Sequence, residues 1–570
     1  MVARTAYALP TAPRRRCSTL CASSRARCTG ADPTADHLGT AITTLPADLA
    51  AYAAPFTPST TLVPAAEPGA HLLQRDDVLL VKGRYTLANR TLTPHEATVA
   101  DLLFVREALD AAGVDHLLVR GNGARPVVAV DWADRAALRE ALTRACADEP
   151  FYVRAADATK PKARLVATGG LHATPKARVL RLFRPRIEPV GGLRYGADQA
   201  VQVELWQHGP DEVVLPAENS LTRRTVHADE VTRGTVERYG RTWSTIEHMF
   251  TDHASDLPFE IDMVFSWVDG TSTAFQKARA ARMKSYVVGE GDDAPARYRH
   301  VDELRYALRS VHMFAPWVRR IFVATDSPKP AWLADHPGVT FVRSEEFFAD
   351  PSVLPTHNSH AVEAQLHHIP GLAEHFLYSN DDMFFGRPIT PDLFFSPGGV
   401  TKFVEATTRI GLGGNDPRRS GFENAARVNR ALLLERFGRL TTRHLEHSAA
   451  PLRRSVLDEM EREFADQFAA TAASRFRSAT DISVTNSLYH YFALMSGRAV
   501  QTTARTKYVD TTSRAGLEAM KSLLAKRSTD MFCLNDGSFP EIDEDVRARA
   551  VRDFLDRYFP VVAPWENADA

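Results

Sequence analysis

The 570-residue sequence predicts an α/β protein, with a mainly parallel sheet and a helical C-terminal part over 255–570. A small α+β unit over 75–250 precedes it. Three observations carry this expectation. From Phe259 onward, short apolar runs of buried-strand type alternate with helical segments, the pattern that builds parallel sheets through crossover connections. Beyond about 415 the text turns mostly helical. Before 255, strands and helices mix without that regular alternation.

Residues 1–70 are rich in Ala, Pro, Thr and Arg without sustained periodicity, and are expected to be disordered or a leader. The basic start (Arg14, Arg15, Arg16) lacks the apolar stretch of a secretory signal. No run approaches the roughly 18 apolar residues that span a bilayer, so the expected location is cytoplasmic. The five cysteines are scattered, three of them in the head, which argues against a disulfide framework. Composition is 44% hydrophobic and 24% charged with a net charge of −1, giving no reason to expect a nucleic-acid binder.

In the α+β unit, Val99–Gly113 is amphipathic and ends on a glycine, as a helix does. "HLLVRG" and "PVVAVDW" read as strands, "RAALREALTRAC" as a helix, and "RVLRLFRPRI" and "AVQVELWQ" as strands again. The polar stretch from His227 to Trp243 reads as a connector. In the second part, "FEIDMVFSWVDG", "RIFVATDS", "VTFVRS" and "EHFLYSNDDMFF" read as strands. "RYRHVDELRYALRSVHMFAPW" and "NSHAVEAQLHHI" read as helices. The helices "NAARVNRALLLERFG" and "LRRSVLDEMEREFADQF", a strand-like "AVQTTARTKYVD" and a last helix "DEDVRARAVRDFLDRYF" follow.

Three of these strands end in carboxylates: Asp269, Asp326 and the Asn380–Asp381–Asp382 run. Open α/β sheets bind ligands in the crevice outside the carboxyl ends of their strands. Adjacent acids there suit a divalent cation, which prefers hard oxygen ligands and bridges diphosphate oxygens. The plain alternative is a turn, since Asn and Asp favour turns. Asp269–Gly270 is likewise either a turn or a place where backbone approaches phosphate. Arg453, Arg454, Arg475 and Arg477 have the planar fork that clamps phosphate, although most helix arginines are simply solvated. His447 has the near-neutral pKa of a general base, against the ordinary case of a surface histidine. "PTHNSHAVEAQLHHI" lacks the HExxH spacing of a zinc hydrolase, and Asn358 or Ser359 is expected to cap its helix. No P-loop, GxGxxG or GxSxG element stands in a suitable context.

"IDMVFSWVDG", "RYRHVDELRYALRSVHMFAPWVRRIFVATD" through "LYSNDDMFF", "ASRFRSATDISVTNSLYHYFAL" and "FCLNDG" resemble, in order, the four conserved blocks of the Stealth family. That family holds bacterial capsule and exopolysaccharide phosphotransferases and the animal N-acetylglucosamine-1-phosphotransferase. The resemblance covers roughly 258–562. It implies a nucleotide-sugar-transferase-like catalytic domain and a site built from Asp269, Gly270, Arg305, Asn380, Asp381, Asp382, His447, Arg477, Asn535 and Asp536. Within it, His447, Arg477 and Asp382 are the implied catalytic groups. Asp269, Gly270, Arg305, Asn380 and Asn535 would bind substrate, and Asp381, Asp382 and Asp536 would hold Mg²⁺ or Mn²⁺. The family's third block often carries two histidines three apart. Here the second position is Ala450, which leaves His444 as a fallback for the base.

The implied reaction moves a hexose-1-phosphate from a UDP-sugar to a hydroxyl of a growing polysaccharide, releasing UMP. The rivals are an ordinary metal-dependent glycosyltransferase, which moves only the sugar, and a non-catalytic polysaccharide-binding protein. The expected partners are a UDP-sugar donor and a polysaccharide acceptor, with no nucleic acid. Peripheral docking to a membrane-bound assembly system at the inner face of the membrane is compatible with this reading.

Overall fold

The computed structural model describes residues 68–270, 276–277, 280, 301–537 and 540–567, so nearly all of the expected leader lies outside the described residues. The described chain belongs to one compact unit, Ala47–Ala570. No described helix is long and apolar enough to cross a membrane.

The N-terminal part is built on a mixed sheet. Its central strands run in the order β1 (Leu117–Arg120), β2 (Pro126–Asp131), β5 (Val201–His208), β4 (Val179–Phe183), β3 (Tyr152–Ala155), with β2 and β5 parallel and the other pairs antiparallel. Helices α1 (Pro94–Ala111) and α2 (Arg135–Ala145) cover one face. Leu102, Val105, Leu138 and Leu142 from the helices meet Val128, Leu180 and Val203 from the strands there. The first helix starts earlier than Val99. Thr93 accepts the Glu96 N–H and Glu96 returns the bond to the Thr93 N–H, a capping box that puts Pro94 at the first helical position.

The stretch read as a polar connector is instead mostly a hairpin, β6 (Arg233–Arg238) and β7 (Arg241–Ile246). Trp243 on β7 is 2% exposed, sits in the α1/α2 core and carries the Arg106 guanidinium 4.5 Å above its ring. Alternate residues of β6 and β7 face solvent, so the segment's average polarity hides a strand period.

The C-terminal sheet has the order β10 (Val339–Val342), β9 (Ile321–Ala324), β8 (Ile261–Ser266), β11 (His375–Asn380), β13 (Ala450–Arg453). The first four strands are parallel and β13 alone is antiparallel, so the expected mainly parallel sheet is present. Side chains alternate between two cores. Met263, Phe265, Val323 and Leu377 pack on α3 (Glu303–Phe314) and α10 (Glu544–Tyr558). Val264, Phe322, Phe376 and Tyr378 pack on α6 (Arg454–Glu463) and α8 (Tyr489–Met495). Ala97 and Tyr195 of the N-terminal part join the first of these cores.

A three-stranded sheet adjoins the first: β12 (Met383–Phe385), β15 (Met531–Asn535) and β14 (Thr506–Asp510). The "AVQTTARTKYVD" stretch is two strands, Ala499–Thr502 and β14, in different sheets. The helix read in "NSHAVEAQLHHI" stops early: α4 is Ser359–Glu363, followed by a tight turn at Leu366–His368. Asn358 is its cap, accepting the His360 N–H at 3.1 Å.

Candidate active site

Only Asp381 and Asp382 separate β11 from β12, so these two acids stand where the chain leaves one sheet and enters the next. The crossing is pinned from β15, whose Leu534 N–H donates to the Asp382 carbonyl at 2.9 Å. Asn535 Nδ2 then donates to Asp382 Oδ2 at 3.2 Å, and the Cys533 thiol lies 3.5 Å from the same oxygen. The other oxygen, Oδ1, is buried and accepts no hydrogen bond. Burial is the main cause that raises the Asp382 pKa from 3.8 to about 7, and the negative charges of Glu303 and Asp536 add to it.

Asp269 follows β8, the strand beside β11, and Ser266 of β8 is in register with Asn380. The Asp269 N–H donates to Ser327 Oγ at 2.8 Å, which fixes the loop after the strand. Beneath the acids lies a buried polar network. The Tyr378 hydroxyl is 2.8 Å from Asn380 Oδ1, 2.7 Å from Ser266 Oγ and 3.3 Å from Glu363 Oε1. Glu363 Oε2 in turn accepts from Thr485 Oγ1 at 2.6 Å and from Asn486 Nδ2 at 3.5 Å. Glu363 is 3% exposed, and hydroxyl and amide donors hold its carboxylate.

Arg477 reaches the same helix from the other end, donating from Nη2 to Ser359 Oγ at 2.9 Å. Its stem crosses Gly421, the first residue of α5 (Gly421–Phe437). A Cβ at 421 would lie 2.8 Å from both Cβ and Cδ of Arg477, so glycine is what lets the arginine lie there. Ser359 and Glu363 are one turn apart on α4, which links Arg477 to Asn380 through Glu363 and Tyr378.

His447 sits against Tyr508 of β14, ring centroids 5.3 Å apart, and burial lowers its pKa. His444 stacks on Phe422 at 4.5 Å, and burial, then the Arg427 charge, lowers its pKa as well. The two imidazoles therefore share the Phe422 ring, with His447 on the Tyr508 side. Ser448, next to His447, lines a small cleft together with Thr485 and Asn486 of the Glu363 network.

Other sequence-derived candidates are engaged elsewhere. Arg305 Nε donates to Glu566 Oε2 at 2.5 Å, and Arg309 grips the same carboxylate through Nε at 2.7 Å and Nη2 at 2.8 Å. Asp536 is ion-paired with Arg547 and accepts from Thr511 Oγ1 at 2.6 Å. Asp326, the third strand-end acid, caps the turn Ser344–Phe347 by accepting the Ser344 N–H at 2.9 Å and its hydroxyl at 2.8 Å. Gly270 is buried directly after Asp269. The histidines of the α4 region close on Glu461, whose Oε2 is 2.9 Å from His367 Nε2 and 2.8 Å from His368 Nε2.

Sequence reasoning missed Tyr378, Ser266, Glu363, Thr485 and Tyr508. Tyr378 and Ser266 lie within strands already recognised, two residues before Asn380 and three before Asp269. Glu363 carried no signal beyond a helix-start acid.

The residues fit a divalent cation at the β11–β12 crossing. Asp382 offers an unbonded buried carboxylate oxygen, in a neighbourhood of excess negative charge that a cation would relieve. Asp381 precedes Asp382 in the chain, and Asp269 follows β8, the strand paired with β11. Asp536 has its charge met by Arg547.

Four segments match the Stealth protein conserved regions in sequence order: region 1 at 259–287, region 2 at 297–403, region 3 at 446–494 and region 4 at 521–570. An exopolysaccharide phosphotransferase CpsY of Mycobacterium tuberculosis is 58% identical over 490 residues, covering 86% of this chain and 92% of the relative. An exopolysaccharide phosphotransferase of Nocardia farcinica is 55% identical over 480 residues, covering 84% and 89%. One from Streptomyces coelicolor is 39% identical over 501 residues, covering 85% of each. A crystal structure of galactosyltransferase LgtC with donor and acceptor sugar analogues aligns with 53% of this chain and 96% of its own at 13% identity. Its TM-score is 0.27, which leaves the fold to be read from the sheets themselves. The chain belongs to the Stealth family. It is an enzyme of the class that transfers phosphorus-containing groups.

Proposed function

We propose that the protein transfers a hexose-1-phosphate from a UDP-sugar to a hydroxyl of a growing exopolysaccharide. The acceptor oxygen attacks the β-phosphorus in line, the bond between that phosphorus and the bridging diphosphate oxygen breaks, UMP leaves, and a phosphodiester remains. The observation that carries the reading is the Asp381–Asp382 crossing, with a buried, unbonded Asp382 oxygen amid other acids. The names of the relatives supply the acceptor class.

Phosphoryl transfer leaves the protein mostly positioning and charge neutralisation to perform. Asp382 and Asp381, with Asp269 on the neighbouring strand, would hold Mg²⁺ or Mn²⁺. Such an ion, when bound, neutralises diphosphate oxygens. Asn535 orients the Asp382 carboxylate through its Nδ2 bond, and Asn380 is held in turn by Tyr378. Arg477 is the cation assigned to the diphosphate, its stem held by the Gly421 crossing and its Nη2 by Ser359. His447 takes the acceptor proton at Nδ1 or Nε2. Its lowered pKa supports this role, because the imidazole is then neutral and able to accept a proton at pH 7. Gly270 and Arg305 complete the assigned set, Arg305 with its Nε on Glu566.

The experiment that decides between phosphosugar and plain sugar transfer uses a donor labelled at the β-phosphorus. Label in the polymer with unlabelled UMP supports the proposal. Label only in released UDP means an ordinary glycosyltransferase. No turnover, with retained polysaccharide binding in a variant lacking Asp381, Asp382 and Arg477, means a binding protein.

A further inference from the structure

The N-terminal sheet has one face buried under α1 and α2, and its other face carries an apolar cluster at each of its two ends. At one end Leu117, Val119, Val127 and Trp206 pack with Ile246 and Met249. At the other, Tyr152 and Phe183 pack with Tyr85 and Leu165. Between them the same face carries Arg154 on β3, Arg181 on β4 and Gln202 on β5, aligned across three strands: Arg154 is in register with Arg181 and Arg181 with Gln202. Paired positions on antiparallel strands stand about 5 Å apart, and like charges placed there are destabilising. Arg125 adds a third guanidinium. Burial pulls its pKa down first, the positive charge of Arg181 and of Arg154 pulls it further, and the negative charge of Asp198 works against them.

None of the three arginines is in a salt bridge or donates to a carboxylate among the described residues. The Nε of each is buried and has no hydrogen-bond partner. Arg125 Nη2 reaches only the Ala197 and Asp198 carbonyls, at 3.4 and 3.3 Å. The nearby Glu204 spends its two oxygens on Gln202 Nε2 at 2.7 Å and Trp206 Nε1 at 2.9 Å. Asp157 accepts the Arg178 N–H at 2.7 Å. The loop leaving β3 carries exposed Lys160 and Lys162. The fold sets three guanidiniums together, leaves their Nε–H groups without a hydrogen-bond partner and brings only the Asp198 charge near Arg125, an arrangement that an anion from outside would stabilise. A phosphodiester, with two non-bridging oxygens and one negative charge, matches the paired N–H geometry of arginine.

We propose that Arg125, Arg154 and Arg181 form a second, non-catalytic site that holds a phosphodiester of the acceptor chain. This rests on the phosphosugar-transfer reading in one respect: a transferase that leaves phosphodiesters gives its own acceptor the anionic links the site recognises. The N-terminal part then grips a segment of polymer made earlier while its end is extended. Lengthening the acceptor should lower KM, with kcat unchanged.

The test uses the full chain and calorimetry with a synthetic hexamer of glucose joined by phosphodiesters. Neutral maltohexaose, inorganic phosphate and phosphatidylglycerol vesicles serve as separate arms. The hexamer should bind and maltohexaose should not. R154Q/R181Q should weaken the hexamer at least about tenfold, on the scale of losing charge-assisted bonds. The same variant should melt no lower than wild type, because removing facing like charges relieves repulsion instead of breaking a structural pair. Its transfer to a monosaccharide acceptor should be unchanged. Equal hexamer binding by wild type and variant overturns the proposal, as does binding of inorganic phosphate alone or of vesicles in place of the hexamer. The labelled-donor assay separates the two readings. A wild type that binds the hexamer through the trio yet leaves the label in UDP keeps this site and refutes the transfer reaction. A wild type that moves label into polymer but binds the hexamer no better than maltohexaose does the reverse.

Discussion

Asp382→Asn is the perturbation that most directly interrogates the β11–β12 crossing. The Asp382 carboxyl titrates near 7 in the folded protein and at 3.8 when unburdened by its surroundings. Between those values the unfolded chain has given up its proton and the folded chain has not, so stability falls as pH rises and levels off above 7. At about 1.4 kcal/mol per pH unit, metal-free wild type loses about 2 kcal/mol between pH 5.5 and 8 through this one group. The side-chain amide that D382N introduces does not titrate, so the variant lacks that loss. Whatever this amide costs beside Asn535 and Cys533 is the same at both pH values and cancels in the comparison. Denaturation in EDTA, wild type against D382N at pH 5.5 and 8, should therefore show the variant gaining on wild type by about 2 kcal/mol at the higher pH. Mg²⁺ or Mn²⁺ should stabilise wild type at pH 8 more than D382N, because the variant leaves the ion one carboxylate fewer. Parallel pH profiles for the two proteins would refute both the buried-acid argument and the assignment of Asp382 to a cation.

Arg477→Ala should cut turnover at least about a hundredfold, the scale of losing one electrostatic stabiliser, in a steady-state assay with the labelled donor. His447→Ala should cost about 10²–10⁴ in kcat. Because burial lowers the His447 pKa, the acid limb of the wild-type kcat/KM profile should lie below the ordinary histidine value of 6.5, and it should vanish in the variant. Glu566→Ala strips the buried partner of both Arg305 and Arg309 and should destabilise the fold by about 3–5 kcal/mol, read from urea denaturation. Gly516→Ala should also lower the urea midpoint, since a Cβ there would collide with the Asp510 carbonyl oxygen at the end of β14.

The parallel strands were legible because each is a short apolar run bounded by turn residues, and a sheet buried on both faces needs no finer pattern. The N-terminal hairpin was not, because Trp243 and Ile246 are diluted by exposed Arg, Thr and Glu at alternate positions. Strand-end acids show what sequence cannot decide. Asp269, Asp326 and Asp381 read alike, yet Asp326 turns back to cap the Ser344–Phe347 turn, and only the position of that N–H separates a cap from a ligand. Glu363 was invisible for a related reason. Its partners, Tyr378 and Thr485, are 15 and 122 residues away, and a buried acid acquires meaning only from what surrounds it.

The arginine trio extends that argument to the other end of the chain. Arg125, Arg154 and Arg181 are far apart in sequence, each on or beside a strand with ordinary apolar neighbours, and singly each reads as a solvated side chain. Register converts them into a site: a slip of one residue in β3 or β4 would send Arg154 or Arg181 into the α1/α2 core. The same alternation that buries Val153 and Leu182 beneath the helices thus fixes Arg154 and Arg181 on the opposite face. Core packing and polymer grip are consequently specified together. A substitution such as Leu182→Asp that loosens the register should weaken hexamer binding along with stability, whereas R154Q/R181Q should separate the two.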